Sequence, residues 1–528
     1  MTKFPQRSPG RNFQFLRQHF AQTVDSSGVW RGKDYFFRPC DKTGKNCLSI
    51  FPVDVKMTAY SEEAFGSDDW NGLDWGRDFD FSRPFFDQFF ELWYQTPKQT
   101  ANAYFSENCE FLINAHRNRD CYLVDEIDRS RDCHYGYNIQ DCIGTFNCFY
   151  ARKSELCYAS AQIEGCYEVF FSEQIVNCSS SAFLMNCQNC KNCLFCTNLR
   201  NANYHIYNRK VSKEEFKKAW NDIFNGSRTA VDNANMQFEA FRLQFPERAS
   251  VQVNSENCTG NHISNCKNCL DSFNIDHCQD CRYCTDTHYS RDMYDVHIYE
   301  GELLYECLHA GPEGYCQFFS HLAWFSKHTY YCSQLLHCNH VFGCSGLKHQ
   351  DYCIFNKQYP PDDYEQMVAR IIDHMIETGE WGEFFPASYS PYGYNQTMAA
   401  FYFPIQKNEA LQRGFQWKEA GNPHENLEVV MPPDDLNVDS SITQKALTSA
   451  LSGKRFKITK PELEFHKRYG IPLPNTTPSE RLEAFVHRNA RILYDRTCQK
   501  CQKPIQTTYA PERTETVYCE ECYLAEVY

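Results

Sequence analysis

Residues 121–148 read CYLVDEIDRSRDCHYGYNIQDCIGTFNC, and the spacing of their cysteines decides the fold. Cys121, Cys133, Cys142 and Cys148 are separated by 12, 9 and 6 residues, and the pattern continues outward. From Cys109 through Cys157, Cys166, Cys178, Cys187, Cys190 and Cys193 to Cys196, every gap is a multiple of three. Most of these cysteines follow Asn, Asp or Gly, residues that accept the left-handed backbone of a tight corner. Short turn-plus-strand modules of this kind predict a β-solenoid, each coil offering a small buried side chain at a fixed place.

The same unit occurs twice. Ser106-Glu107-Asn108-Cys109 recurs 149 residues later as Ser255-Glu256-Asn257-Cys258. Cys196, Leu199, Tyr204, Ile206 and Asn208 recur at an offset of 148 as Cys344, Leu347, Tyr352, Ile354 and Asn356. Each unit holds twelve cysteines, with two more before them and four after, out of 30. Each ends in a predicted helix: Ser212 and Glu215 form a capping box before Phe216 and Trp220, and Pro361-Asp362-Asp363 opens the second through about Thr378.

The fold class expected is mostly β with helices. A degenerate ribbon plus an aromatic-acidic helix occupies 1–100, and solenoid units occupy 101–230 and 250–380. A connector with a basic helical segment spans 381–495, and a four-cysteine ribbon spans 496–528. Residues 227–254 read as a linker between the units, and 380–440 as an ordered loop region.

Composition narrows the class. The 528 residues are 42% hydrophobic, 16% aromatic and 23% charged, which describes a globular chain. No run of about 18 uncharged apolar residues marks a membrane span, and MTKFPQRSPGRNFQFLRQHF has no apolar core of a secretory signal. A cytoplasmic, reducing location follows, with thiols acting as ligands or small core residues. The net charge of −14 opposes nonspecific binding to nucleic acid by the whole molecule.

The chemistry is concentrated at the C-terminus. Cys498-x-x-Cys501 and Cys519-x-x-Cys522 are two knuckles separated by seventeen residues, the ligand set of a tetrahedral, structural Zn2+, one per chain. Its binding would supply much of the folding energy of a tail too short for its own core. An N-terminal segment aligns to this tail without a gap: Cys40, Thr43, Ser61 and Ala64 fall on Cys498, Cys501, Cys519 and Cys522. A ribbon that lost its metal is the reading. Ser449-x-x-Ser452-Gly453-Lys454 echoes Cys40-x-x-Thr43-Gly44-Lys45 a third time, and zinc is expected at neither place.

Other constellations carry less. Cys187, Cys190, Cys193 and Cys196 step by three, as some iron–sulfur ligands do, but the fourth gap is wrong and no Pro follows. Packed thiols are the expectation there, with a second metal as the alternative. Residues 454–503 carry twelve Lys/Arg against five Asp/Glu. Lys454, Arg455, Lys457, Lys467, Arg468, Arg488 and Arg491 are therefore candidate nucleic-acid contacts, set against a solvated helix face paired to the acidic body. Asp74 and Asp78 lie in an aromatic-acidic stretch where Phe85, Phe89 and Trp93 predict one buried helix face. No P-loop, G-x-G-x-x-G, H-E-x-x-H or G-x-S-x-G is present, and no catalytic residue is assigned.

GRDFDFSRPFF (76–86), the SENC and NC repeats, CTNLRNANYHIYN (196–208), GEFFPASYSPYGYNQT (382–397), FKITKPELEFHKRYGIPLP (456–474) and TTYAPERTETVYCEECYLAEVY (507–528) together resemble one family. It is the family of cysteine-repeat, zinc-ribbon proteins common in small-genome bacteria, without an established activity. The resemblance spans nearly the whole chain and implies zinc binding and this architecture. Members carry further CxxC-type and Arg-His elements where this chain has Thr43, Ser61, Ala64, Ser449 and NTTPSERLEAF, a departure that argues against extra metal there.

The function expected is a zinc-binding, non-enzymatic scaffold offering solenoid surfaces to a macromolecule, a protein before a nucleic acid, and no membrane. The alternatives are a nucleic-acid-associated protein acting through 454–503 and an enzyme of unknown class.

Overall fold

In the computed structural model, which describes residues 29, 35–101, 103–297, 300–309, 311–419 and 427–527, a left-handed corner recurs with strict period. From Phe105 to Tyr207 every third residue has φ between 45° and 63°. Parallel strands pair across twelve residues, as in Tyr122↔His134, Tyr137↔Phe149 and Phe149↔Ala161. Three residues per side and twelve per rung give four corners to each turn of the chain. Left-handed backbone costs a non-Gly residue about 1–2 kcal/mol, less for Asn and Asp, which explains their frequency at these corners. The second unit keeps the pattern with 11-residue steps (Arg291↔Glu302) and a 13-residue step (Gly301↔Gly314). Strand outweighs helix, 34% against 24% of residues, so the fold is mostly β with helices.

The ladder geometry explains the cysteines. A corner leaves some N–H and C=O groups pointing inward, where each needs a partner. Cys133 Sγ donates to Arg131 O (3.3 Å) and Cys142 O (3.7 Å). Cys121 N donates to Cys109 Sγ (3.3 Å), one rung below. Ser130 does the same work with Oγ: it donates to Asp128 O (2.9 Å) and accepts from Cys142 N (3.0 Å). The interior therefore calls for a small side chain that both donates and accepts, and alternates these with Val124, Ile127, Ile139 and Ala151. All thirty cysteines are free thiols.

Ten helices lie among the described residues, and the seven of at least eight residues dress the ladders. Helix α1 (Phe85–Gln95) buries Phe85, Phe89 and Trp93, the face expected from spacing, and its first N–H groups bond the carboxylate of Glu380 at 2.8 Å. Helix α2 (Lys213–Ile223) starts at the Ser212/Glu215 capping box. Helix α3 (Arg228–Arg242) lies where a linker was expected. Its buried stripe is only Val231, Ala234 and Phe238, too sparse to stand out in the sequence. Helix α4 (Pro361–Glu377) follows the second unit, and α5 (Lys460–Tyr469), α6 (Pro478–Arg488) and α7 (Glu520–Val527) complete the set.

The two units lie side by side and run in opposite senses. Asn114 approaches His309 (3.5 Å), Tyr137 and Tyr150 bond Asp286 (3.2 and 2.8 Å), and Arg152 meets His288 (3.0 Å). From Asn114 to Tyr137 on one side the partners fall from His309 to Asp286 on the other, as in halves related by a two-fold axis. The hairpin modules follow that symmetry. Ala59–Tyr60 pairs parallel with Lys98–Gln99, and Val517–Tyr518 pairs parallel with Glu247–Arg248, 149 residues further on. Each module covers an end of the other unit: Thr96 Oγ1 bonds Ser345 Oγ (3.0 Å), and Tyr523 bonds Asn198 (2.8 Å). Of the predicted 1–100 segment, residues 1–28 and 30–34 lie outside the described residues.

Candidate metal centre

Cys498 follows strand Tyr494–Thr497 and Cys501 sits in the turn before Pro504–Thr507. Cys519 precedes α7 and Cys522 lies in its first turn. The turn closes through Cys498 N to Lys503 O (2.9 Å) and Gln502 N to Cys498 O (2.9 Å), with Gln502 at φ 61°. One sulfur from each of the four cysteines lies within 4.8 Å of the others. Cys501 Sγ and Cys519 Sγ are 3.6 Å apart, against about 3.8 Å for two sulfurs on a tetrahedral Zn2+. Burial raises the Cys498 thiol, but the N–H groups of Cys501, Cys519 and Lys500 bring it down to about 6, while burial and the neighbouring thiols push Cys522 up to about 12, so Cys498 is the readiest thiolate of the set. The four positions fit a tetrahedral metal, and a closed four-thiolate set would be structural.

The two echoes reproduce the turn bond for bond. Cys40 N donates to Lys45 O (2.9 Å) and Gly44 N to Cys40 O (2.8 Å). Ser449 N donates to Lys454 O (2.8 Å) and Gly453 N to Ser449 O (3.0 Å). At the first, Ser61 N donates to Cys40 Sγ (3.3 Å), and Ala64 offers no donor atom. At the third, Ser449 Oγ bonds Glu480 Oε2 (2.7 Å), and Glu480 N bonds Thr477 Oγ1 (3.2 Å). A hydrogen-bonded hydroxyl–carboxylate group stands where the tail has thiols.

Cys187, Cys190, Cys193 and Cys196 occupy the four sides of one turn, each donating to a carbonyl, as Cys190 Sγ does to Gln188 O (3.3 Å). Among the described residues this quartet is not one of the groups whose ligand atoms converge.

The basic candidates do not form one surface. Lys454 is exposed, and Arg455 and Lys457 are half-buried on a hairpin. Lys467 bonds Val438 O (2.7 Å) and Arg468 lies over the Tyr469 ring, both at the end of α5. Arg488 bonds Glu173 (2.8 Å). Helix α6 ends at Arg488, and Arg491, three residues beyond it, turns inward to Asp286 (2.5 Å) with its guanidinium over Tyr402. Asp78 is taken by Lys357 (2.5 Å), and Asp74 lies in the short turn Gly72–Trp75.

Sequence reasoning missed a second convergence. Glu126, His297 and His309 are buried, and a ligand atom from each lies within 4.8 Å of the others. Glu126 is 171 residues from His297, so no spacing rule links them. No family model matches this chain, and no curated protein does either.

Proposed function

We propose that the protein is a zinc-stabilised, non-enzymatic scaffold. Its two ladders are read as short-coil β-solenoids, and its C-terminal module as a zinc ribbon that docks on both units. The observation that carries this reading is the convergence of Cys498, Cys501, Cys519 and Cys522 on one point. Long ladder faces would present an extended surface to a partner macromolecule, a protein before a nucleic acid. The free thiols agree with a reducing, cytoplasmic setting, and no described helix is long and apolar enough to cross a membrane. The resemblance to the cysteine-repeat, zinc-ribbon family supports the same reading.

Metal content per chain tests the centre. One zinc equivalent should be lost from Cys519→Ser, with the tail becoming protease-sensitive. A chelator-treated chain whose tail stays as ordered as before would reject the zinc reading. Affinity capture from the native cell tests the scaffold. Retention on RNA or DNA that weakens steeply with salt would move the reading to nucleic-acid binding.

A further inference from the structure

The seam between the two units holds the other convergence. Glu126 comes from the first ladder and His297 and His309 from successive turns of the second. Two imidazoles and one carboxylate are a recurrent ligand set for divalent transition metals, notably Fe2+ and Zn2+. Metal-ligating side chains are characteristically oriented by outer partners, and those are present here. Thr285 Oγ1 is 2.6 Å from His297 Nδ1, and an Asp286 carboxylate oxygen lies 3.7 Å from the same nitrogen. Asn138 Nδ2 donates to Glu126 Oε2 (3.2 Å). Asp286 is itself fixed by Tyr137, Tyr150, Asn274 and Arg491.

The duplication supplies an internal comparison. Cys121 and Cys133 match Cys269 and Cys281, so Tyr137 matches Thr285. One rung on from these are Phe149 and His297, and a further rung leads to Ala161 and Leu308. One rung back are Asp125 and Phe273. The positions of Glu126, His297 and His309 are therefore held in the other half by Asn274, Phe149 and Gln162. Those three positions carry two amides and an aromatic ring, and the imidazole on that side belongs instead to His262, which shares a pocket with Gln162 and Asn274. Three ligand atoms converge at the seam only at Glu126, His297 and His309 among the described residues.

We propose that Glu126, His297 and His309 bind one divalent transition-metal ion at the seam, separate from the four-cysteine centre. Three protein ligands leave coordination positions open to water or a small anion, unlike the closed thiolate site.

The test loads the full-length chain with Co2+ and removes excess metal. Two equivalents are expected: one gives intense thiolate-to-cobalt charge transfer, and the other gives weak d–d bands and hyperfine-shifted imidazole resonances. Glu126→Asn with His309→Gln, the residues the other half uses, should drop the count to one with the charge-transfer band unchanged. Two equivalents retained in that double variant overturn the proposal. So does a wild-type chain whose bound cobalt shows no imidazole resonances, a readout that does not depend on the variant folding. Loss of the charge-transfer band alone would count against the four-cysteine reading and leave the seam site standing.

Discussion

Arg491→Ala should unsettle the molecule from within. The guanidinium is 2.5 Å from Asp286, with side-chain exposures of 10% and 0%, and it also covers the ring of Tyr402. Removing one partner of a buried ion pair leaves the other charge desolvated, at a cost of about 3–5 kcal/mol. The remaining donors to Asp286, the hydroxyls of Tyr137 and Tyr150 and the amide of Asn274, are neutral and only partly offset it. Urea unfolding followed by tryptophan fluorescence measures the loss. Arg491→Met with Asp286→Asn, which removes both charges, should recover most of it. A surface arginine changes stability by about 0.5 kcal/mol or less on substitution. A loss that small in Arg491→Ala, or a double variant no better than the single, would refute the buried-pair reasoning and return Arg491 to the candidates for phosphate contact.

Interior cysteines should be replaceable by serine, because Ser130 already fills the same role. Cys133→Ser is expected to cost about 1 kcal/mol, whereas Cys133→Val, which neither donates nor accepts, should cost about 1–3 kcal/mol by the same urea assay. Equal losses would mean that the thiol's hydrogen bonds are irrelevant. Stability should also fall in acid. Burial lowers His134 and His466 to about 4 and His321 to about 3. Their full contribution is present above the unfolded value near 6.5 and is lost as pH falls toward those numbers, about 3 kcal/mol each for His134 and His466 and about 5 kcal/mol for His321. Glu462, which burial raises to about 7, works in the opposite sense, gaining its proton over the same range. The net is a loss of several kcal/mol between pH 6.5 and 4; a urea midpoint flat across that window would contradict it.

What the sequence disclosed was whatever depends on short-range spacing. Cys498, Cys501, Cys519 and Cys522 converge because a turn and a helix start each bring residues i and i+3 together, and sequence separation alone shows this. The three-residue rule from Cys109 to Cys196 likewise encodes corners, since each side of a turn repeats locally. The gapless match of Cys40 to Cys498 anticipated turns that share the same hydrogen bonds. Hidden were the contacts made only when the two units pack. Glu126 meets His297 through the seam, and Arg491 finds Asp286 across 205 residues. Arg491 looked like surface charge because it falls in the basic segment 454–503; three residues beyond the end of α6 reverse its environment. Helix α3 escaped notice because its inner face is one Val, one Ala and one Phe.

The head-to-tail duplication has a genetic consequence. In a dimer of identical subunits, any residue placed near the symmetry axis is present twice, and a substitution there cannot be made on one side alone. Joining the halves in a single polypeptide removes that bond. Asn274 and Gln162 could stay as they are while their counterparts became Glu126 and His309, so one side of the seam is free to conserve architecture and the other to change its residues, each side drawing on both copies.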